Sequence, residues 1–242
     1  MTFPPSAVPL TDVQRALCVL AHPDDVDFGS AGTIATWVDA GIEVKYLLVT
    51  RGDAGGFDDT PRAEMPILRE REQRAAAAAV GVKQVEFLEG YRDGVLEPTI
   101  GLRRDITAAI RRFRPDRVLT SSPLRRWERL AGPSHPDHLA AGEATTCAVY
   151  PDARNPFTFT DIGLDAWTVR EIWYSGGPNP DHIVDITDVF DRKLAALRAH
   201  ASQTSHLDGF EEMLRDRHAQ VARAGGLAEG RLAEGYSVFS TA

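Results

Sequence analysis

Short apolar runs alternate with longer stretches of helical spacing along most of this chain. Residues 16–20, Ala-Leu-Cys-Val-Leu, are unbroken by any polar group and predict a buried strand. A helix is expected over 33–40, closed by Gly41, and a second strand over 42–50. The Ala-rich stretch 66–80 predicts a helix stopped by Gly81, with a third strand over 85–88. Leu102, Ile106, Ala109 and Ile110 draw an apolar stripe along a helix over 99–113. A fourth strand over 117–120 and a helix over 137–150 follow. This rhythm of strand and helix predicts an α/β fold whose mostly parallel sheet is covered on both faces.

The last third is less regular. Residues 151–168, rich in Pro, Asn and Asp, predict a surface excursion. Strands are expected near 171–175 and 182–186, and helices near 188–201 and 208–224, with Thr187 as a cap for the first. After Gly225 the pattern weakens to a short strand over 236–239. No linker interrupts the chain, so one domain over 1–242 is expected, with a Pro-rich flexible tail at 1–10.

Composition narrows the function. A chain of 242 residues can bury a substantial core. Its net charge of −8 argues against a general nucleic-acid binder, which carries a basic face. Cys18 and Cys147 are expected as small core residues, not as a disulfide framework. Residues 1–10 lack the basic and apolar regions of a signal peptide. No apolar run approaches the roughly 20 residues of a membrane span, so a soluble, cytoplasmic protein without membrane partners is expected.

The chemistry sits at the end of the first strand, in His22-Pro23-Asp24-Asp25. A turn after a strand of an α/β sheet is where ligands bind. His22 and Asp25, three apart on a tight turn, can face one point as a nitrogen and an oxygen ligand. Catalytic zinc takes three protein ligands and keeps one position open, two His and a carboxylate being one such set. The missing His is then expected from His135-Pro136-Asp137-His138, which repeats the spacing before another helix. Pro136 suits the first position of that helix, and the helix dipole disfavours protonated imidazole there. Either His135 or His138 satisfies this argument.

The paired tetrads resemble those of the zinc-dependent GlcNAc deacetylases of the PIG-L or LmbE type, over about residues 18–206. The resemblance implies a Rossmann-like three-layer sandwich, one Zn²⁺ per chain, and hydrolysis of an N-acyl group, usually acetate on an amino sugar. It implies His22, Asp25 and His138 as metal ligands, Asp24 as general base and His135 as the group that stabilises the oxyanion or protonates the leaving amine. It also implies Asp53, Arg69 and Asp93 as groups facing the substrate. Two positions depart from the family pattern: Val26 follows the Asp pair where an acidic residue is common, and Pro133 stands where some relatives carry Tyr. Asp137 is expected to be structural. Family rings leave room for a homo-oligomer.

The loop Arg51-Gly52-Asp53-Ala54-Gly55-Gly56 lacks the Gly-x-x-x-x-Gly-Lys-Ser/Thr order, which excludes nucleotide binding through it. Arg125, Arg126, Arg129 and Trp127 lead into the second tetrad and suit an anionic or sugar-like group. The expected function is therefore zinc-dependent hydrolysis of an N-acyl amide on an amino-sugar-containing small molecule. An amidase acting on thiol-sugar conjugates is the alternative, and a non-catalytic carbohydrate-binding protein of the same fold a weaker one. The pairing of Asp24 with His135 opposes the last, because a binding module needs no base and acid beside a metal.

Overall fold

A computed structural model of the chain describes residues 8–56 and 59–241. The expected tail at 1–10 therefore lies mostly outside the described residues. In chain order the elements are β1 (Arg15–Leu20), α1 (Asp25–Asp39), β2 (Glu43–Leu48), α2 (Met65–Ala79), β3 (Gln84–Phe87), α3 (Ile100–Phe113), β4 (Arg117–Ser121) and α4 (Pro136–Cys147). Then come β5 (Glu171–Ser175), β6 (His182–Asp185), α5 (Phe190–Ala199), α6 (Ala201–Thr204), α7 (Phe210–Ala224) and β7 (Ala233–Ser240). The seven strands form one sheet in the order β3-β2-β1-β4-β5-β7-β6. All neighbours pair in parallel except β7, which runs antiparallel to both β5 and β6.

Alternation along β1 explains the layers. Ala16, Cys18 and Leu20 pack with Ile34 of α1 and Ala76 of α2 on one face. Leu17 and Val19 pack with Ile106 of α3 and Ala144 of α4 on the other. Because successive strand side chains point to opposite faces, a strand covered by helices on both sides is apolar throughout. The three-layer α/β fold is thus as expected. Among the described residues no helix is long and apolar enough to cross a membrane.

Four local expectations are corrected. Helix α1 begins at Asp25, not at 33. Gly29 and Gly32 lie within it as contact points: a Cβ on Gly32 would lie 2.7 Å from Ile186, and one on Gly29 3.6 Å from Ser175. Thr187 does not cap α5; its hydroxyl donates to Asp185 Oδ1 at 2.6 Å and accepts from Leu232 N–H at 2.9 Å. Cys18 is buried, but Cys147 is only half-buried. Finally, β7 is eight residues long and sits inside the sheet, because Tyr236 and Val238 fill the core face that α1 covers. The excursion at 151–168 is pinned rather than loose: Arg103 grips the buried Asp152 with two bonds of 2.9 Å, and Arg111 reaches Asp152, Asn155 and Thr158 carbonyls.

Candidate metal centre

The sheet itself selects the place. From β1 the chain moves outward through β2 to β3, then crosses back to lay β4 on the other side of β1. Loops leaving the carboxyl ends of β1 and β4 diverge at such a switch point and leave a crevice between them. The β1 loop carries His22 to Asp25, and the β4 loop runs into His135 and the start of α4.

Three donor groups converge there. His22 Nδ1 lies 3.2 Å from His138 Nε2 and 3.4 Å from Asp25 Oδ2, and His138 Nε2 lies 2.8 Å from Asp25 Oδ1. Two imidazole nitrogens facing each other across a carboxylate form a donor set that could hold a shared cation. Metal–ligand bonds of about 2.0–2.2 Å at tetrahedral angles place donors about 3.4 Å apart, so a zinc-sized ion fits this set. His135 stands beside it, its ring centroid 5.1 Å from that of His22 and 5.2 Å from that of His138. A nitrogen of each of the three His lies within 4.8 Å of the others.

His135 caps α4: its Nδ1 accepts the Asp137 N–H at 3.2 Å. While that bond stands the ring proton belongs on Nε2, which leaves a donor free to point outward. Burial, and then the charge of His22 and His138, lowers the His135 pKa, so the neutral donor is the favoured form.

The His22 ring is oriented from behind. Its Nε2 faces Asp93 Oδ1 and Asp137 Oδ2, both at 3.0 Å. A carboxylate on the far nitrogen of a ligating imidazole fixes its tautomer and aims the other lone pair at the metal. Asp137 is fully buried and also accepts Gly94 N–H at 2.7 Å and Leu96 N–H at 3.1 Å. Burial opposes protonation of His22, but Asp25, Asp137 and Asp93 outweigh it and raise its pKa well above the usual range. Burial likewise opposes ionisation of Asp25, and the facing imidazoles still hold its carboxyl well below the usual range. The centre is built to hold positive charge.

Asp24 adopts φ 90° and ψ −29°, a left-handed backbone that costs a non-Gly residue about 1–3 kcal/mol. Its carboxylate meets Arg69 Nη2 at 3.0 Å. Burial, with the negative charge of Asp25 adding to it, pushes the Asp24 carboxyl up to about 6, against the pull of Arg69. Arg69 is 3% exposed, and its guanidinium also bonds Pro23 O, so it holds the Asp24 turn. Its neighbour Glu72 is buried too and accepts from Ser202 N and Oγ at 2.8 and 2.7 Å.

Asp53 and Asp93 are brought together at the mouth. Asp53 Oδ1 accepts the Asp93 N–H at 3.0 Å, and Asp93 Oδ2 accepts the Ala54 N–H at 3.2 Å. The structure thus gives Asp93 a protein partner, the ring of His22. Gln73 was not singled out in the sequence, yet its Oε1 accepts the Asp24 N–H at 2.8 Å. The available signal was its place one turn after Arg69, on a helix face where Arg69, Glu72, Gln73 and Ala76 are all buried.

A family model, PIG-L, described as GlcNAc-PI de-N-acetylase, matches residues 17–149. Diacetylchitobiose deacetylase of Thermococcus kodakarensis is 36% identical over 202 residues, covering 81% of this chain and 72% of that protein. A probable N-acetyl-alpha-D-glucosaminyl L-malate deacetylase 2 of Bacillus cereus is 34% identical, covering 86% and 89%. The solved structure of N,N'-diacetylchitobiose deacetylase from Pyrococcus horikoshii, complexed with an inhibitor, superposes with a TM-score of 0.85 at 32% identity, covering 94% of this chain and 84% of that one.

Proposed function

The chain belongs to the PIG-L family of de-N-acetylases, and from that premise we propose that it removes an N-acetyl group from an amino-sugar-containing small molecule, using one Zn²⁺. The relatives named above are deacetylases of diacetylchitobiose and of N-acetylglucosaminyl malate, so an acetylated amino sugar is the shared chemistry. The observation that carries the proposal is the convergence of His22 Nδ1, Asp25 and His138 Nε2 beside the strained Asp24.

Those three groups would hold the ion. When bound, zinc polarises an amide carbonyl and lowers the pKa of water to about 7. The chain's own residues do the rest. Asp24, ionised and held by Arg69, takes a proton from the attacking water as its oxygen joins the carbonyl carbon. His135 offers Nε2–H to the charge that develops on the carbonyl oxygen. The C–N bond then breaks, and the proton held at Asp24 passes to the departing nitrogen. Acetate and a free amine result. Asp53 and Asp93 line the mouth, where sugar hydroxyls would meet them. Nothing in this scheme calls for a membrane, and we take the protein to act in the cytoplasm.

The test is metal content with acetate release from N-acetyl amino sugars, on the parent and Asp24→Asn. About one zinc per chain in both is expected, with turnover in the variant lowered about 10²- to 10⁴-fold. Failure to bind a divalent metal after reconstitution, or undiminished turnover in the variant, overturns the proposal.

A further inference from the structure

A second set of buried groups reaches Asp24 from the far end of the chain. Gln73 Oε1 accepts the Asp24 N–H at 2.8 Å, and Gln73 Nε2 donates to Asp27 Oδ2 at 2.8 Å. The same Asp27 oxygen receives His200 Nε2 at 2.8 Å. Gln73, Asp27 and His200 are all fully buried. Asp27 Oδ1 and His200 Nδ1 have no partner among the described residues, so the bonds of this set run through Asp27 Oδ2 and His200 Nε2.

Neither His200 nor Asp27 belongs to the two tetrads. The geometry points to more: we infer that His200 is a positioning residue for the general base, acting on Asp24 through Asp27 and Gln73. This inference deepens the proposed hydrolysis and rests on it for its kinetic part.

The argument is one of amide orientation. Asp24 sits in a left-handed conformation that its own side chain does not favour, so its backbone must be held. Its carbonyl is held by Asp27 N and Phe28 N, each at 2.9 Å, and its carboxylate by Arg69. Its N–H is held by Gln73 alone. A Gln amide rotated by half a turn would put NH₂ against that N–H, donor against donor. The carboxylate of Asp27 forbids the rotation, because it accepts and never donates. Asp27 in turn is a buried carboxylate with two side-chain donors on one oxygen, Gln73 and His200. Without His200 it keeps only one of them and swings toward any other donor, and the constraint on Gln73 goes with it. His200 therefore carries a proton on Nε2, which it donates to Asp27 Oδ2.

The experiment compares His200→Leu, which fills the space without a donor, with His200→Gln, whose amide nitrogen can stand where Nε2 stands. Hydrogen exchange at the Asp24 N–H is read by NMR on the full zinc-loaded chain, with Leu20 and Ile34 N–H as references. In His200→Leu, exchange at Asp24 is expected to speed up about tenfold or more while the references keep their protection. Its kcat is expected to fall about 10- to 100-fold with KM and zinc content unchanged, as a misplaced catalytic group produces. His200→Gln is expected to restore both. The inference is overturned if His200→Leu keeps the Asp24 protection, or if both variants lose protection at Asp24 and at the references together. If the parent releases no acetate from any amino sugar, the functional proposal fails, and the exchange comparison still decides the role of His200.

Discussion

Replacing Lys193 by Met tests how the first turn of α1 is held. Lys193 is fully buried; its ammonium donates to Asp27 O at 2.7 Å, Phe28 O at 2.9 Å and Glu234 Oε1 at 2.7 Å. Glu234 accepts in turn from Gly32 N–H at 3.1 Å, Thr33 N–H at 2.7 Å and Tyr236 OH at 3.0 Å. The pair is thus wedged against the middle of α1, one to two turns past Asp25. Met matches the volume of Lys, so the change removes charge without opening a cavity. Breaking one partner of a buried pair costs about 3–5 kcal/mol, because the remaining carboxylate is left unpaired. For a chain of this size each kcal/mol is worth about 2–4 °C, so Tm should fall by about 6–20 °C at pH 8.

Acidity supplies the discriminating arm. Burial opposes ionisation of Glu234, but Lys193 outweighs it and lowers the carboxyl pKa. A depressed carboxylate contributes stability above its unfolded pKa and loses it as pH falls through the folded one. In Lys193→Met the burial remains without the ammonium that opposes it, although Gly32 N–H, Thr33 N–H and Tyr236 OH still favour the charged form, so the pKa rises and Glu234 protonates on milder acidification than in the parent. His218, pushed down to about 4 chiefly by burial, stays neutral over that range in the parent. The Tm gap between parent and variant should therefore be largest near pH 8 and shrink by about pH 5. Lys193→Met with Glu234→Gln should regain most of the loss at pH 8, since no charge is then left unpaired. Calorimetry across pH decides it. A gap under about 2 °C at pH 8, or one that does not narrow on acidification, refutes the reasoning.

Two further outcomes follow from the site's supports. A Cβ on Gly142 would overlap the Ser121 carbonyl oxygen and lie 3.0 Å from Pro123 N, both backbone groups, so Gly142→Ala must lift α4 from β4. A loss of about 1–3 kcal/mol with weaker zinc binding through His138 is expected by denaturation and metal titration; Gly101→Ala, whose nearest neighbour is 3.7 Å away, is the neutral control. Trp127 is 79% exposed and partnered by Arg125, on a loop that closes onto Ser134 beside His135. Trp127→Ala should leave stability within about 0.5 kcal/mol and raise KM more for a disaccharide than for a monosaccharide.

What the sequence discloses about this fold follows the range of the forces involved. Strand β1 was legible because both its faces are covered, which writes the unbroken apolar run 16–20. The start of α1 was not, because Gly29 and Gly32 look like breakers until Ser175 and Ile186, far along the chain, are packed against them. Strand β7 was shortened for a similar reason. Glu234 looks like a surface residue until Lys193 is placed beside it.

The site divides the same way. Ligands three residues apart on a turn are a local fact, so His22, Asp25 and the second tetrad were visible from spacing alone. The groups that aim them are not local. Asp93 and Asp137 reach His22 from 71 and 115 residues away, and His200 reaches Asp27 from 173. Arg69 was legible as a group of the site, but nothing nearby in sequence tells that Pro23 and Asp24 will be its partners. A metal ligand must present one atom to one point, and a two-turn motif suffices for that. A base in a left-handed turn must be held at its N–H, its carbonyl and its carboxylate together. One tetrad cannot supply three such supports from within itself: α2 gives Gln73 and Arg69, α1 gives the N–H groups of Asp27 and Phe28, and His200 after α5 reaches them only through Asp27. The catalytic loop is therefore expected to be less tolerant of substitution at buried polar positions late in the chain than their distance from the tetrads suggests.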